Sequence, residues 1–346
     1  MNSPGPIILF GSGEISASGR KTWEWLFSQR EERPQVAILE TPAGFEPNSA
    51  QVAGDVADFL RHRLQNHDPQ IEIIPARNHS AADDPALLAP LHHANTLFMG
   101  AGSPSYAVRH LRDTRAWTLL RAQQRRGAAL VLASASTIAA SRYALPVYEI
   151  YKVGEDLHWK DGLDFFADYG LSLVVVPHWN NRDGGDRLDT RRCYLGQGRF
   201  AQMQALLPAQ AIIVGIDEHT ALVVDVANAH CQVLGQGDTT ILNNDRTRTY
   251  RSGQRFPITE LGPFHLPADE ARLPAGRWAQ IDAQRNANPA APQPPADVQA
   301  LAAARSAARA QRNWQQADAL RDAIEQQGWT VQDTADGPLL LPQAGG

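Results

Sequence analysis

At 346 residues, with 43% hydrophobic and 20% charged side chains, the chain can bury a large α/β core and carry a small second unit. Its formal net charge of −5 excludes a global field that gathers nucleic acid or anionic membrane. Two cysteines, Cys193 and Cys231, exclude a disulfide framework and predict two buried thiols in a reducing, cytoplasmic setting.

Residues 7–10 (Ile-Ile-Leu-Phe) read as a strand, too short for a signal-peptide core, that ends in Gly11-Ser12-Gly13-Glu14. That turn lacks the full GxGxxG spacing and a Walker lysine, so no nucleotide cofactor is expected there. A helix follows through residues 21–27, then a strand over 36–39 closing on Thr41-Pro42-Ala43-Gly44. Residues 49–64 carry Val52, Val56, Phe59 and Leu60 on one helical face. Strands are predicted over 71–74, over 96–99 leading into Gly100-Ala101-Gly102, and over 128–133. Strands separated by helices predict an α/β fold with a parallel, helix-covered sheet, whose reactive groups gather at the carboxyl ends of the strands. Further strands are expected over 171–176 and 211–216, and a β-hairpin over 221–226 and 230–234. Residues 251–295 read as a proline-rich connector with a clear linker at 286–295. Beyond it, 297–311 and 314–327 predict a helical hairpin, with Trp314, Ala317, Leu320 and Ile324 in step on the second helix. No apolar run reaches membrane-spanning length, so no membrane partner is expected.

Ser134 stands where the apolar run 128–133 gives way to the small residues Ala135-Ser136-Thr137-Ile138-Ala139-Ala140. A serine at a strand-to-helix corner is held on a sharp turn with its hydroxyl exposed, which is how a nucleophile elbow presents its oxygen. A hydroxyl needs a base to take its proton and a third group to orient that base. His178 follows the strand end at 176 and is the base candidate. Glu218, after the strand over 211–216, is one candidate for the orienting acid, and Glu149, just past the nucleophile's helix, is the other. Backbone amides at Ala135 and Gly102 are candidates for an oxyanion hole. Arg182 and Arg187, in the loop after His178, could hold a substrate carboxylate unless Asp183, Asp186 and Asp189 neutralise them. No metal site is expected.

These segments are similar to the cyanophycinase-like serine peptidases, which include the aspartyl dipeptidases. Gly127 to Ala139 resembles their G-A-V-I-x-G-T-S-A-G-A stretch, with Ser134 at the nucleophile. Met99 to Ser103 resembles their G-G-G-[ND] turn, and Val176-Pro177-His178-Trp179 with Arg182 and Arg187-Leu188 resembles H-F-x-x-R…R-L. Gly215-Ile216-Asp217-Glu218-His219-Thr220-Ala221-Leu222 is close to G-I-D-E-x-T-A-L. The resemblance covers about residues 4–245. It implies a flavodoxin-like sandwich of the class I glutamine-amidotransferase type over 1–250, with serine in place of cysteine. In the cyanophycinase branch the triad acid corresponds to Glu218; in the dipeptidase branch it falls near Glu149. The glycines flanking the family's serine are replaced by Leu132 and Ser136, and the His178–Glu218 spacing implies an insertion around 193–200.

The C-terminal stretch Ala308-Arg309-Ala310-Gln311-Arg312-Asn313-Trp314-Gln315-Gln316-Ala317-Asp318, with Arg321-Asp322, Gly328 and Asp333-Thr334, resembles the end of cysteinyl-tRNA synthetase over about 296–342. No synthetase catalytic motif accompanies it. Arg305, Arg309, Arg312 and Arg321 are outnumbered by Asp297, Asp318, Asp322, Glu325, Asp333 and Asp336, so any tRNA or synthetase association through this unit is expected to be weak. The expected partner is a small peptide or an acidic, isopeptide-linked amide, cleaved by a serine-type peptidase or amidase. The competing expectation is an inactive peptidase-like binding module associated with tRNA or a synthetase complex. The sequence leaves the oligomeric state open, a homodimer included.

Overall fold

A computed structural model describes residues 3–243, 246–268, 271–286, 295–310, 313–334 and 337–342. The chain divides into two units, Met1–Asp282 and Ala283–Gly346.

In the larger unit, β1 (Ile7–Phe10), α1 (Ala17–Ser28), β2 (Gln35–Leu39), α2 (Ser49–Arg63), β3 (Gln70–Ile74) and the short α3 (His79–Ala82) come first. They are followed by β4 (Thr96–Met99), α4 (Pro104–Leu111), α5 (Arg115–Arg125), β5 (Ala129–Ala133) and α6 (Ala135–Ala139). Strands β1, β5, β4, β2 and β3 lie side by side and parallel. Side chains alternate across a strand, so each run of apolar residues feeds two cores at once. Ile8 and Phe10 pack with Trp23, Leu26, Val56 and Leu60 from α1 and α2. Ile7 and Leu9 face the opposite core with Leu111, Leu120 and Val175. Full burial of each such side chain contributes about 1.5–3 kcal/mol, which is why these runs carry no polar face. Ser16, Ser103 and Thr114 cap α1, α4 and α5 through their side-chain oxygens, each cap contributing about 1 kcal/mol.

The second half adds β6 (Tyr143–Ala144), a single π-helical turn (Glu149–Val153), β7 (Lys160–Asp161), β8 (Leu173–Val176), α7 (Gln197–Ala205) and β9 (Ile212–Ile216). Then come β10 (Thr220–Asp225), β11 (His230–Gly235), β12 (Asp238–Asn243), β13 (Arg246–Arg251), β14 (Arg255–Pro257) and α8 (Arg277–Asn286). The hairpin β10–β11 and β14 extend the main sheet antiparallel beyond β1, giving eight strands. Strands β8 and β9 run parallel in a second sheet, where β12 and β13 add antiparallel strands. β13 (Arg-Thr-Arg-Thr-Tyr-Arg) is an edge strand exposed along most of its length, so it lacks the apolar alternation that marks a strand in sequence. The stretch expected to be irregular contains β14, a 3-10 turn (Ile258–Leu261) and α8. Of the predicted linker, residues 287–294 lie outside the described residues.

The smaller unit holds α9 (Ala296–Ala310), α10 (Trp314–Gln326) and the antiparallel pair β15 (Trp329–Thr334) and β16 (Gly337–Pro342). Val298, Ala302, Ile324, Trp329 and Val331 form its core. Trp314, expected on the buried face of α10, is 56% exposed. The buried stripe instead runs through Ala317 and Ile324, one turn or more from the helix start.

Candidate active site

Ser134 joins β5 directly to α6 with φ 51° and ψ −111°, a left-handed conformation that side chains rarely adopt. Such strain costs about 1–3 kcal/mol and persists only where the surroundings hold it. Here the Ser134 amide donates to the Phe10 carbonyl (3.1 Å), and its own carbonyl accepts from the Thr137 amide (3.0 Å) and hydroxyl (2.7 Å). Leu132 and Ser136, on either side of this corner, are accommodated differently. Leu132 is fully buried in register with Leu9 and Met99. Ser136 is buried too, and its hydroxyl accepts from the Ala133 amide (2.9 Å) and donates to the Met99 carbonyl (2.6 Å), bridging the ends of β5 and β4.

His178, past the end of β8, also has positive φ (50°). Its amide donates to the Gly11 carbonyl, and its carbonyl accepts from the Asn181 and Cys193 amides (each 3.2 Å). The ring is thereby fixed between two partners: Nε2 lies 2.9 Å from Ser134 Oγ, and Nδ1 lies 2.9 Å from Glu218 Oε1. Glu218, just past β9, donates its amide to Asn180 Oδ1 (2.9 Å) and accepts from Asn181 Nδ2 (2.8 Å). The hydrogen bond from His178 holds the Glu218 carboxyl below its ordinary range, against the opposing effect of partial burial. An ionised carboxylate only accepts, so it draws the imidazole proton to Nδ1 and leaves the Nε2 lone pair facing Oγ. Glu149, the alternative acid, bonds Lys160 Nζ at 2.9 Å on the π-helical turn, and among the described residues it makes no hydrogen bond to His178.

A cavity of about 520 Å³ opens over Ser134 and includes Ala135, Gly102 and His178. Gly102 has φ 139°, and a Cβ there would lie 2.0 Å from the Pro42 carbonyl oxygen, so glycine is required by backbone packing. Among the described residues, neither the Gly102 nor the Ala135 amide has a hydrogen-bond acceptor. As the first residue of α6, Ala135 has no intrahelical acceptor to use.

Arg182 and Arg187 stand apart from the Ser134 cavity. Both are exposed and line a separate pocket of about 400 Å³ with Asp186, Asp189 and Arg191; neither lines the Ser134 cavity. The loop closes on itself: the Asp183 amide donates to Asn181 Oδ1 (3.1 Å), and the Gly184 amide donates to Thr190 Oγ1 (3.1 Å). The cation on the cavity is Lys152, accompanied by Tyr148, Tyr151 and Tyr194. Sequence reading missed all four. Position was the advance signal for three of them, since Tyr148 to Lys152 sit one short stretch past α6; Tyr194 had none. Cys193, also on the cavity, is buried, and that burial pushes its thiol up to about 12, so it stays protonated. Both cysteines are free, and among the described residues no His, Cys, Asp or Glu cluster has the makings of a metal site. No helix among them is long and apolar enough to cross a membrane.

Among solved structures, a peptidase from an acI-B1 Actinobacterium superposes with a TM-score of 0.60 at 20% identity, covering 73% of this chain and 97% of that one. The chain carries a peptidase-like fold. A putative peptidase E from Listeria monocytogenes EGD-e is a more distant likeness, with a TM-score of 0.44 at 13% identity over 72% of this chain and 99% of the other. Residues 291–337 match the family model described as the cysteinyl-tRNA ligase anticodon binding domain. Cysteine–tRNA ligase 1 of Burkholderia lata is 42% identical over 62 residues, or 18% of this chain and 13% of that ligase. The chain thus spans a small fraction of the curated relative it matches.

Proposed function

We propose that this protein is a serine-type peptidase or amidase that cleaves small peptides or related amides through Ser134, His178 and Glu218. The 2.9 Å contact between Ser134 Oγ and His178 Nε2 carries the reading, because a strained serine and a base aimed at its proton have little structural use apart. In the reaction, Oγ attacks the substrate carbonyl carbon as His178 Nε2 takes the hydroxyl proton. Glu218 steadies the imidazolium that forms, and the Gly102 and Ala135 amides donate to the oxyanion. Collapse of the tetrahedral intermediate breaks the C–N bond, and His178 returns its proton to the leaving amine. Water, deprotonated by the same nitrogen, then hydrolyses the acyl-serine. The peptidase-like fold supports this reading, and two free buried cysteines are in keeping with a cytoplasmic setting. The test is a panel of dipeptides and isopeptides offered to wild type and Ser134→Ala. Hydrolysis confined to wild type is expected; equal hydrolysis by the variant overturns the assignment.

A second reading adds to this one. The match of residues 291–337 to an anticodon-binding family supports a contact with tRNA or a synthetase. Its six acids against four arginines favour a weak one. A gel shift of the full chain with tRNA, lost at moderate salt, is the expected signature; no shift at low salt removes this reading.

A further inference from the structure

The charge on the Ser134 cavity does not suit an acidic side chain. Carboxylate recognition draws on the fixed two-pronged geometry of arginine, and both nearby candidates, Arg182 and Arg187, line a different pocket. Lys152 reaches the cavity, but it is solvent-exposed, rests over the Tyr151 ring at 5.1 Å, and shares the cavity with Asp183. A solvated ammonium opposed by a carboxylate gives an acidic ligand little net attraction.

Aromatic surface is what the wall offers. The Tyr194 ring centroid lies 5.4 Å from that of Tyr151 and 6.0 Å from the His178 ring, within the range where aromatic groups attract one another. Ile138 and Val147 add apolar surface. The placement of Tyr194 is costly. Arg192, Cys193 and Tyr194 have φ of 60°, 55° and 68°, three consecutive side-chain-bearing residues in a left-handed turn. The turn is clamped from several sides. The Arg192 amide donates to the Trp179 carbonyl (3.0 Å), and its guanidinium stacks 3.7 Å above the Trp179 ring. The Tyr194 amide donates to the Thr190 carbonyl (2.9 Å), and its hydroxyl donates to Asp183 Oδ2 (2.7 Å). Strain maintained by that many contacts, beside a reactive serine, points to a side chain whose position matters to the ligand.

We infer that the cavity selects an amide whose side chain beside the scissile bond is aromatic, held against Tyr151 and Tyr194; as a statement about substrate choice it rests on Ser134 being the nucleophile. Binding to Ser134→Ala protein tests the subsite without requiring catalysis. N-acetyl-phenylalaninamide and N-acetyl-aspartamide are titrated by NMR into this variant, and into it with Tyr151→Ala or Tyr148→Ser added. Tyr148 lines the same cavity and is 45% exposed. At least tenfold tighter binding of the aromatic amide is expected, with the margin cut to threefold or less by Tyr151→Ala. Equal or tighter binding of the acidic amide, no binding of either, or a margin that Tyr151→Ala leaves unchanged overturns the inference. In wild type, the acetyl-phenylalanyl p-nitroanilide should exceed its aspartyl counterpart by the same ratio in kcat/KM. If wild type hydrolyses neither and an activated-serine probe leaves Ser134 unlabelled, the peptidase reading fails, while the titration still decides what the cavity binds.

Discussion

The Ser134 cavity and the arginine loop at 182–191 begin from the same strand end, β8, yet only one is built into a constellation. Ser134, His178 and Glu218 each stand within two residues of a strand terminus, so the ladders beneath them fix where their side chains start. Arg182 and Arg187 stand several residues further out, on a loop held by its own Asx-type and threonine bonds and turned toward solvent. Residues at strand ends can be assigned to a common rim from order alone. A loop residue is placed by whichever local hydrogen bonds win, and those are not visible in spacing.

Substitutions on either side of that contrast test it. The largest effect belongs to His178→Ala, which removes the proposed base and should slow acylation of Ser134 by on the order of 10⁴-fold, read by stopped-flow with an activated ester. Glu218→Gln leaves the ring in place but puts a neutral amide beside Nδ1 in place of a carboxylate; a loss of about 10²–10⁴-fold in kcat is expected, and a loss under threefold would shift the proposed acid's role to Glu149. Ser136→Ala probes the corner itself. It strips the Ala133 amide and Met99 carbonyl of their bridging hydroxyl, and chemical denaturation should show a cost of about 1–3 kcal/mol. A smaller signal comes from pH. Because His178 holds the folded Glu218 carboxyl low, its stabilisation is complete above the ordinary glutamate value of about 4.3 and disappears as pH drops through the folded value. The stability gap between wild type and Glu218→Gln should therefore narrow from about pH 5 toward pH 3. The least effect is expected from Arg182→Ala and Arg187→Ala, under twofold in kcat/KM for a neutral dipeptide. A tenfold loss would return the loop to the site.

Much of the arrangement could be read in the chain. Continuous apolar runs mark strands covered on both faces, and β1, β2, β4 and β5 were legible for that reason. Ser134, His178 and Glu218 could be nominated because each follows such a run, and the structure brings them together. β13 was not legible, since an exposed edge strand has no apolar face to show. Nor was the aromatic wall. Tyr194 reaches the cavity through three left-handed residues of ordinary type, and no glycine announces that turn. Which of Glu218 and Glu149 lies against His178 was not legible, because the ion pair that engages Glu149, with Lys160 eleven residues on, forms only in three dimensions.

The most direct measurement is labelling by a fluorophosphonate probe, with the modified peptide located by mass spectrometry. A single adduct on Ser134 is predicted, abolished in Ser134→Ala and strongly slowed in His178→Ala. Labelling that persists in Ser134→Ala, or wild-type protein that stays unmodified under conditions where known serine hydrolases react, would contradict the account.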